Sequence, residues 1–255
     1  MKNSGNWTPS KFVRKNGRLT ASRNRRHVGI GSRLIVDLVA EAYDRHLRHF
    51  CRGRLVDLGC GRVPLYEAYK AYILDNTCVD WANTIHKNEY LDFECDLTEK
   101  LPLESEAFDT VVLSDVLEHV PEPEALWKEM GRILVSGGRV LLNVPFYYWL
   151  HETPHDYYRY TEYALRRFAT LGGFNVLVLE PLGGAPEVIA DILGKILVER
   201  VPLVGRPMAM LVQSMTYRFV KTKLGKKVSA GTSQQFPLAY FLIAEKQAAS
   251  AAGDP

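Results

Sequence analysis

The 255-residue sequence predicts an α/β fold with a doubly wound, seven-stranded, mostly parallel sheet. Three observations predict it. Strand and helix patterns alternate from residue 54 to 180, the connections between them are short, and a glycine-containing turn follows the first strand. Residues 185–224 interrupt this alternation, so we expect a helical insertion before the last strand.

Each element follows from a local pattern. A first helix is expected from Ser32 because apolar residues recur there at helical spacing. Pro121 and the glutamates beside it suit the first turn of a helix that reaches about Val135. The predicted strands are 54–58, 76–80, 90–94, 108–113, 139–144, 174–180 and 237–244. The other predicted helices are 64–72, one from Thr161 to before Gly172, 186–198 and 206–222.

The chain divides into five predicted segments. They are a basic N-terminal arm (1–31), an α/β core (32–184), a helical insertion (185–235), the final core strand (236–246) and a disordered tail (247–255). Residues 1–26 are rich in Asn, Ser, Arg and Lys, which predicts a loose or substrate-ordered arm.

Charge is distributed unevenly. Residues 1–36 carry nine Lys or Arg and residues 200–244 carry seven, with no acidic residue in either segment. Residues 37–199 carry 15 basic and 27 acidic residues, a net charge of −12. This pattern predicts contact with an anionic substrate, an anionic membrane surface or nucleic acid. The alternative is that the basic ends are solvated, neutralise the core or support a homodimer.

The four cysteines form no Cys-x-x-Cys pair, so we predict reduced thiols, no disulfide framework and no metal site. The N-terminus lacks an apolar signal core, and no apolar run approaches the roughly 20 residues of a membrane span. We therefore predict a cytoplasmic protein, or one peripheral to the inner face of the membrane.

Polar residues follow several predicted strands. Gly59 permits a sharp exit from the first strand, and Gly61 lets the backbone approach a ligand near the next helix N-terminus. Asp57 lies just upstream, and Asp80 ends the second strand, where a carboxylate can accept both hydroxyls of a ribose. Ligands bind at the carboxyl ends of parallel strands, so this pattern predicts a nucleoside site.

Five motifs in order resemble the class I S-adenosylmethionine-dependent methyltransferases, notably the methyltransferase type 11 group. They are LVDLGCG (55–61), CVDW (78–81), CDL (95–97), FDTVVLSDVLEHV (108–120) and GRILVSGGRVLLNVP (131–145). The resemblance runs from about residue 32 to 180, and the final strand fits the antiparallel seventh strand of the family. It implies a Rossmann-like methyltransferase fold and S-adenosylmethionine as the cofactor.

The resemblance also implies roles for residues. Asp57 and the glycine turn would flank the methionine part, Asp80 would hold ribose, and Trp81 would pack on adenine. Asp96 and Leu97 would hold the adenine edge, and Ser114 would line the sulfonium side. The complete predicted cofactor set is Asp57, Gly59, Cys60, Gly61, Asp80, Trp81, Asp96, Leu97, Ser114 and Asp115. The third small residue of the usual glycine loop is absent, which argues against a nicotinamide dehydrogenase. Glu118 and His119 lie in the family signature Leu-Glu-His-Val, where a structural brace is favoured over a chemical role.

Residues 145–167 follow the fifth strand and are dense in aromatic and polar groups, so we expect them to cover the acceptor. A hydroxyl acceptor must lose a proton, and an imidazole usually helps. The predicted catalytic residues are His155, the first candidate base, then His151, with Asp156 beside His155. The predicted substrate-binding residues are Arg159, Tyr158, Tyr147 and His119. The structural alternative is that His155 and Asp156 cap the helix near Thr161 while Arg159 pairs with a core carboxylate.

The predicted function is methyl transfer from S-adenosylmethionine to a small or carrier-linked acceptor. The run HDYYRYT (155–161) resembles bacterial methyltransferases encoded with sugar and cell-surface polysaccharide enzymes, so a sugar or glycan hydroxyl is the first candidate. The alternatives are N- or O-methylation of a secondary metabolite, an RNA methyltransferase and a non-enzymatic partner subunit. Asn143-Val-Pro-Phe146 resembles the Asn-Pro-Pro-Tyr motif of N-methyltransferases but follows the wrong strand, so a DNA base methylase is disfavoured. The insertion is either a lid over the acceptor pocket that docks on anionic lipid, or else a dimer face or a core-packed subdomain.

Overall fold

The computed structural model of the protein describes residues 1–81 and 88–248. The strands are β1 (Phe12–Lys15), β2 (Arg18–Ala21), β3 (Arg54–Leu58), β4 (Asp75–Asp80), β5 (Phe93–Glu94), β6 (Phe108–Ser114), β7 (Leu134–Pro145), β8 (Phe174–Leu182) and β9 (Ala239–Lys246). The α-helices are α1 (Arg33–Phe50), α2 (Tyr66–Tyr69), α3 (Pro123–Ile133), α4 (Glu162–Leu171), α5 (Ala185–Arg200), α6 (Gly205–Lys221) and α7 (Lys223–Thr232). Residues 249–255 of the predicted tail lie outside the described residues.

Seven strands form one sheet in the order β5-β4-β3-β6-β7-β9-β8. The strands from β5 to β7 pair in parallel, and β9 lies antiparallel between β7 and β8. The strand order reverses between β3 and β6, and in such sheets the crevice beyond the carboxyl ends at this point binds ligands. The predicted doubly wound sheet with an antiparallel last strand is confirmed.

Buried side chains form a hydrophobic cluster on each face of the sheet. One contains residues of α1 and the β1–β2 hairpin, and the other contains residues of α3 and α4. Trp127 on α3 is fully buried and packs edge to face on Phe174, with ring centroids 5.3 Å apart. Helix α4 starts where predicted because the Thr161 side chain accepts a hydrogen bond from the Ala164 backbone amide.

The prediction of a loose N-terminal arm is wrong for residues 12–21. Strands β1 and β2 form a hairpin whose Phe12 and Leu19 are 0% and 1% exposed. Asn16 and Gly17 make its turn, both with positive φ (52° and 76°), which matches the backbone preference of a tight hairpin. The hairpin packs on α1 and α2, so it belongs to the core.

The insertion contains three helices rather than the predicted two. Thr222 ends α6 and also caps α7, accepting a hydrogen bond from the Gly225 amide at 3.0 Å. The buried Gln213 on α6 ties the insertion to α1, because its side chain accepts from the Leu34 amide and donates to the Gly31 carbonyl. Within residues 1–81 and 88–248, no helix has the length and apolarity needed to cross a bilayer.

Two smaller boundaries also differ from the prediction. Helix α2 is only one turn long, whereas the sequence predicted a helix over 64–72. Strand β7 begins at Leu134, directly after α3, so Gly137 and Gly138 lie inside the strand instead of ending the helix. Neither change moves the carboxyl ends of β3, β4, β6 and β7, where the predicted site residues lie.

Candidate active site

The turn after β3 has two glycines with different surroundings. Both have positive φ, 68° at Gly59 and 51° at Gly61. A Cβ atom on Gly59 would lie 2.5 Å from a methyl carbon of Val116, whereas one on Gly61 would meet no atom within 4 Å. The fold therefore requires glycine at position 59, and open space lies beside Gly61, where a ligand can approach the backbone.

These surroundings predict that alanine at position 59 mainly lowers stability, whereas alanine at position 61 mainly weakens ligand binding. Gly59→Ala should destabilise the fold by about 2–3 kcal/mol, because positive φ and the Val116 contact both oppose a side chain. Gly61→Ala should cost only about 1 kcal/mol of stability but should weaken binding of a ligand seated on the turn. Urea unfolding and ligand titration of both variants would check this, and equal stability losses would contradict it.

Asp80 is positioned beside the open side of the turn. Its two carboxylate oxygens accept hydrogen bonds from the backbone amides of Gly61 and Trp81, each at 2.8 Å, and the residue is 8% exposed. The Asn88 side-chain amide donates to the Gly61 carbonyl, a contact that sequence reasoning missed. This arrangement suits a carboxylate that receives ribose hydroxyls.

Asp57 and Cys60 support the turn from the core. The Asp57 carboxylate is 3% exposed and accepts a hydrogen bond from the Tyr69 hydroxyl at 2.7 Å. Burial raises the pKa of Asp57 to about 7, and the nearby Asp80 charge adds to the rise while the Tyr69 hydrogen bond opposes it. The Cys60 thiol belongs to the hydrophobic cluster. Asp57 was predicted to flank the methionine part of the cofactor and Cys60 to belong to the cofactor-binding set, and both side chains are buried.

The raised pKa of Asp57 has a consequence for stability. The unfolded carboxyl ionises near pH 4 and the folded one near pH 7, so stability should fall as pH rises between these values. The loss should be on the order of 4 kcal/mol and should stop above pH 7. Asp57→Asn should remove this part of the slope in urea unfolding from pH 4 to pH 8. Identical slopes for variant and parent would disprove the assignment.

The residues predicted to hold adenine lie at the ends of β4 and β5. Asp96 is half-buried, and one of its oxygens accepts from the Thr98 amide and hydroxyl at 2.9 and 2.8 Å. Leu97 is buried in the core at 8% exposure. The half-buried Trp81 ring packs edge to face on His155, with centroids 5.2 Å apart. Trp81 thus joins the predicted adenine side to the acceptor segment.

A hydrogen-bonded network joins the ends of β6 and β7. Ser114 donates to the Asn143 side-chain oxygen at 2.7 Å, and the Asn143 amide donates to Asp115 at 2.6 Å. Lys11, just before β1, forms an ion pair with Asp115 at 2.9 Å. Sequence reasoning missed Lys11 because the arm was predicted to be loose. Asn143 was not included in the predicted site because the Asn-Pro-Pro-Tyr-like motif that it begins follows the wrong strand.

A buried carboxylate lies between two histidines on the acceptor side. Glu118 is 0% exposed, and its Oε1 atom is 3.7 Å from the Nε2 atoms of both His119 and His151. His119 Nδ1 pairs with the His155 carbonyl at 2.7 Å, and His151 Nδ1 lies 3.3 Å from Asp156. Sequence reasoning treated Glu118 and His119 as a brace, and nothing in the spacing indicated that His151 would join them.

The electrostatics of this group follow from burial and charge. Burial raises the pKa of Glu118, although the neighbouring histidines oppose the rise. Burial would lower the pKa of His151, but the carboxylates of Glu118 and Asp156 outweigh it and raise that pKa. Burial would raise the pKa of Asp156, but hydrogen bonds from Arg159 and the His151 amide lower it to about 2.

The other predicted acceptor residues make internal contacts. The Arg159 guanidinium forms a two-pronged ion pair with Asp156 at 2.6 and 2.8 Å, as in the structural alternative. The Tyr158 hydroxyl donates to the Pro121 carbonyl at 2.8 Å, and the Tyr147 ring contacts Phe146 and Phe236. The His155 side chain is exposed. Of the two predicted catalytic histidines, His151 lines a cavity and His155 does not.

That cavity has a volume of about 140 Å³ and lies at the carboxyl ends of β6 and β7. Its polar lining includes Lys11, Asp115 and His151. Its apolar lining includes Ile35, Val36, Val39 and Pro145, and the Tyr148 ring is also part of the wall. A larger cavity of about 230 Å³ lies between Arg23, Arg33 and Tyr217 and shares no lining residue with the strand-end site.

Residues 56–142 match the family model described as "Methyltransferase domain". The match covers β3 through most of β7 and therefore the glycine turn, Asp80 and the Ser114–Asp115 end of β6. The seven-stranded sheet has the fold of class I methyltransferases. This range is thus similar to the domain that the five motifs predicted, and S-adenosylmethionine is the cofactor that this family implies.

Two curated relatives match part of this chain. The ubiquinone biosynthesis O-methyltransferase of Xanthomonas euvesicatoria is 29% identical over 111 residues, covering 40% of this chain and 44% of the relative. The protein of the same name from Idiomarina loihiensis is 30% identical over 100 residues, covering 35% and 41%. The chain therefore spans less than half the length of these relatives. None of the names refers to polysaccharides.

Solved structures share the fold over most of the chain. The [4+2]-cyclase SpnF has a TM-score of 0.56 at 14% identity, covering 95% of this chain and 88% of that protein. Phosphoethanolamine N-methyltransferase 2 of Haemonchus contortus, in complex with S-adenosyl-L-methionine, has a TM-score of 0.54 at 16% identity, covering 89% and 59%. One of these proteins is named as a cyclase, so the fold by itself does not determine the reaction.

Proposed function

We propose that this protein is an S-adenosylmethionine-dependent methyltransferase that acts on a hydroxyl group. The observation that carries the proposal is the pairing of the open turn at Gly61 with the Asp80 carboxylate, inside the region that matches a methyltransferase domain. The names of the curated relatives favour oxygen over nitrogen as the acceptor atom.

The donor would lie across the carboxyl ends of β3, β4 and β6. Its ribose would meet Asp80, its adenine would lie by Trp81, Asp96 and Leu97, and its sulfonium would approach Ser114 and Asp115. The transfer moves a methyl group from sulfur to the acceptor oxygen in line, so the protein chiefly aligns the two and excludes water. The charged sulfonium becomes a neutral thioether, and the acceptor gives up its proton.

The acceptor cavity has an apolar part and a polar part. Its volume is about 140 Å³, and its lining combines aliphatic or aromatic groups (Ile35, Val36, Val39, Pro145, Tyr148) with polar ones (Lys11, Asp115, His151, Glu152). A cavity of about 150 Å³ accommodates one benzene ring. An aromatic ring against the apolar part would leave its hydroxyl facing the polar side chains. We therefore propose a hydroxyl on an aromatic or similarly apolar group, with a sugar hydroxyl, which the polar side chains could also receive, as the competing candidate.

On the acceptor side, the structure favours His151 over His155. His151 lines the cavity together with Asp115, while the His155 side chain is exposed and its ring packs on Trp81. Arg159 holds Asp156, and Asp156 in turn contacts His151, so the predicted polar residues form a chain that orients this imidazole. We place the acceptor oxygen against His151.

The insertion provides a surface for a carrier-linked acceptor. Exposed apolar side chains lie along α5 and α6, namely Ile189, Ile192, Leu193, Ile196, Met208, Leu211, Met215 and Phe219. Residues 200–244 add seven basic residues and no acidic one, so this surface is complementary to an anionic membrane. Co-sedimentation with anionic vesicles, lost in an Ile192→Asp/Leu211→Asp variant, would support this. A concentration-dependent dimer lost in the same variant would instead indicate a dimer face.

The experiment that tests the function uses donor labelled in the methyl group. The protein would be incubated with aromatic hydroxyl compounds, sugar nucleotides and total RNA in parallel, and products would be read by mass spectrometry. Gain of one labelled methyl on an aromatic hydroxyl is the expected result. Transfer to sugars or RNA alone would overturn the acceptor class, and no transfer together with no donor binding would overturn the function.

A further inference from the structure

We propose that Glu118, His119 and His151 bind a divalent transition-metal ion next to the acceptor cavity. Among the described residues, one ligand atom from each of these three side chains lies within 4.8 Å of the others. Two histidines and one carboxylate form a ligand set that zinc enzymes use while keeping a further position open for water or substrate. The role of the ion in the reaction rests on the proposed function, whereas the existence of the metal site does not rest on it.

The buried carboxylate is the first argument. Glu118 is fully buried, and neither of its oxygens has a hydrogen-bond partner among the described residues. A buried carboxylate without a hydrogen bond is costly, and the two imidazoles at 3.7 Å are too distant to donate one, so this geometry needs an explanation. A cation held between Glu118 and the two imidazoles supplies the missing partner.

The orientation of the histidines is the second argument. His119 Nδ1 pairs with the His155 carbonyl at 2.7 Å, whereas His151 Nδ1 lies 3.3 Å from an Asp156 oxygen without making a hydrogen bond. Each imidazole has its Nε2 atom 3.7 Å from the same Glu118 oxygen. His119 therefore has the arrangement common in metal-binding histidines, in which an outer oxygen holds one nitrogen and directs the other towards the ion, and Asp156 is near enough to His151 for the same role.

The distances are compatible with binding after a small side-chain movement. Zinc ligands at about 2.0–2.2 Å from the ion are roughly 3.3–3.6 Å apart in a tetrahedron. The Glu118–histidine distances of 3.7 Å are close to that range. His151 also lines the acceptor cavity, so an ion at this site would be beside the acceptor oxygen, where it could anchor that oxygen and lower its pKa.

Sequence reasoning predicted no metal site, and the reason is clear from the fold. Glu118 and His119 follow β6, whereas His151 lies in the segment after β7. The parallel pairing of β6 and β7 brings the two segments together. No short spacing of ligand residues marks the site in the sequence.

Metal binding tests the proposal directly. The full-length protein, stripped with a chelator, would be titrated with Zn²⁺ against a chromophoric competitor and separately with Co²⁺, whose visible absorption reports four-coordinate binding. We expect one tight equivalent in the parent protein and none in the His151→Asn and His119→Asn variants. Asp156→Asn should bind about 10–100-fold more weakly, because Asp156 supports a ligand from outside.

Two controls make the result specific. His155→Asn and His49→Asn remove other imidazoles and should bind Zn²⁺ like the parent. Glu118→Gln alters a fully buried group and would be interpreted only if its thermal unfolding matches the parent, while His151 is partly exposed and its variant keeps the test valid. Equal Zn²⁺ binding by parent and His151→Asn, or no binding by the parent, would overturn the site. Donor binding, measured separately, decides the proposed function independently.

Discussion

Replacing Asp80 with alanine is expected to weaken S-adenosylmethionine binding by roughly 10²–10⁴-fold, since each lost hydrogen bond to a charged group contributes about 1.5–3 kcal/mol. Two effects combine. The variant loses the acceptor for the ribose hydroxyls, and it leaves the amides of Gly61 and Trp81 without their partner. Isothermal titration with donor and with S-adenosylhomocysteine would measure the change.

A matched control lies on the same strand. Asp75 begins β4 at its opposite end and is exposed, and its carboxylate accepts a hydrogen bond from the neighbouring Asn76 amide. Asp75→Ala should therefore bind donor like the parent. If Asp80→Ala also binds like the parent while folded, the ribose does not rest on Asp80.

The second large effect concerns the acceptor side. His151→Asn should lower kcat by roughly 10²–10⁴-fold with little change in donor affinity, because the variant loses the imidazole that promotes loss of the acceptor proton, either as the base itself or as a ligand of an ion that lowers the pKa of the acceptor. His155→Asn should lower kcat only a few-fold, because that side chain is exposed and contacts Trp81 rather than the cavity. Steady-state kinetics with a methylated product readout would separate kcat from KM.

The relative losses of kcat in the two variants show which histidine acts on the acceptor. A large loss of kcat in His155→Asn with a small one in His151→Asn would restore the order predicted from sequence. It would also mean that the acceptor approaches from the Trp81 side. Because both variants change one imidazole to a similarly sized amide, a difference between them reflects position rather than general disruption.

The donor side of the site could be predicted from sequence because each part of it is local. A short apolar run ending at Leu58 predicted β3 with its bounds correct, and Gly59 and Gly61 predicted the turn. Asp80 ends β4 as predicted. Parallel strands place their carboxyl ends together, so residues distant in sequence could be assigned to one edge without knowing any contact.

The hairpin at residues 12–21 did carry a local signal. Asn16-Gly17 is a strong indicator of a tight turn between strands, and Phe12, Val13 and Leu19 flank it. The many basic residues around these positions hid the pattern, since composition favoured a solvated arm. This error removed Lys11 from the predicted site, although Lys11 pairs with Asp115.

The acceptor side could not be predicted in the same way because its contacts are between side chains of two loops. His151 and His155 are four residues apart, and sequence alone could not show which one faces the cavity. Burial of Glu118 depends on how the segment after β7 folds over the end of β6. Such packing is determined by tertiary contacts, and residue types or spacing do not indicate it.

A crystal structure of the protein with S-adenosylhomocysteine would test the donor site most directly. We expect the nucleoside to lie across the ends of β3 and β4, with its ribose hydroxyls on Asp80, its backbone contacts at Gly61 and its sulfur facing Ser114 and Asp115. A nucleoside bound away from these strand ends, or saturating ligand that leaves the Gly61 turn empty, would contradict it.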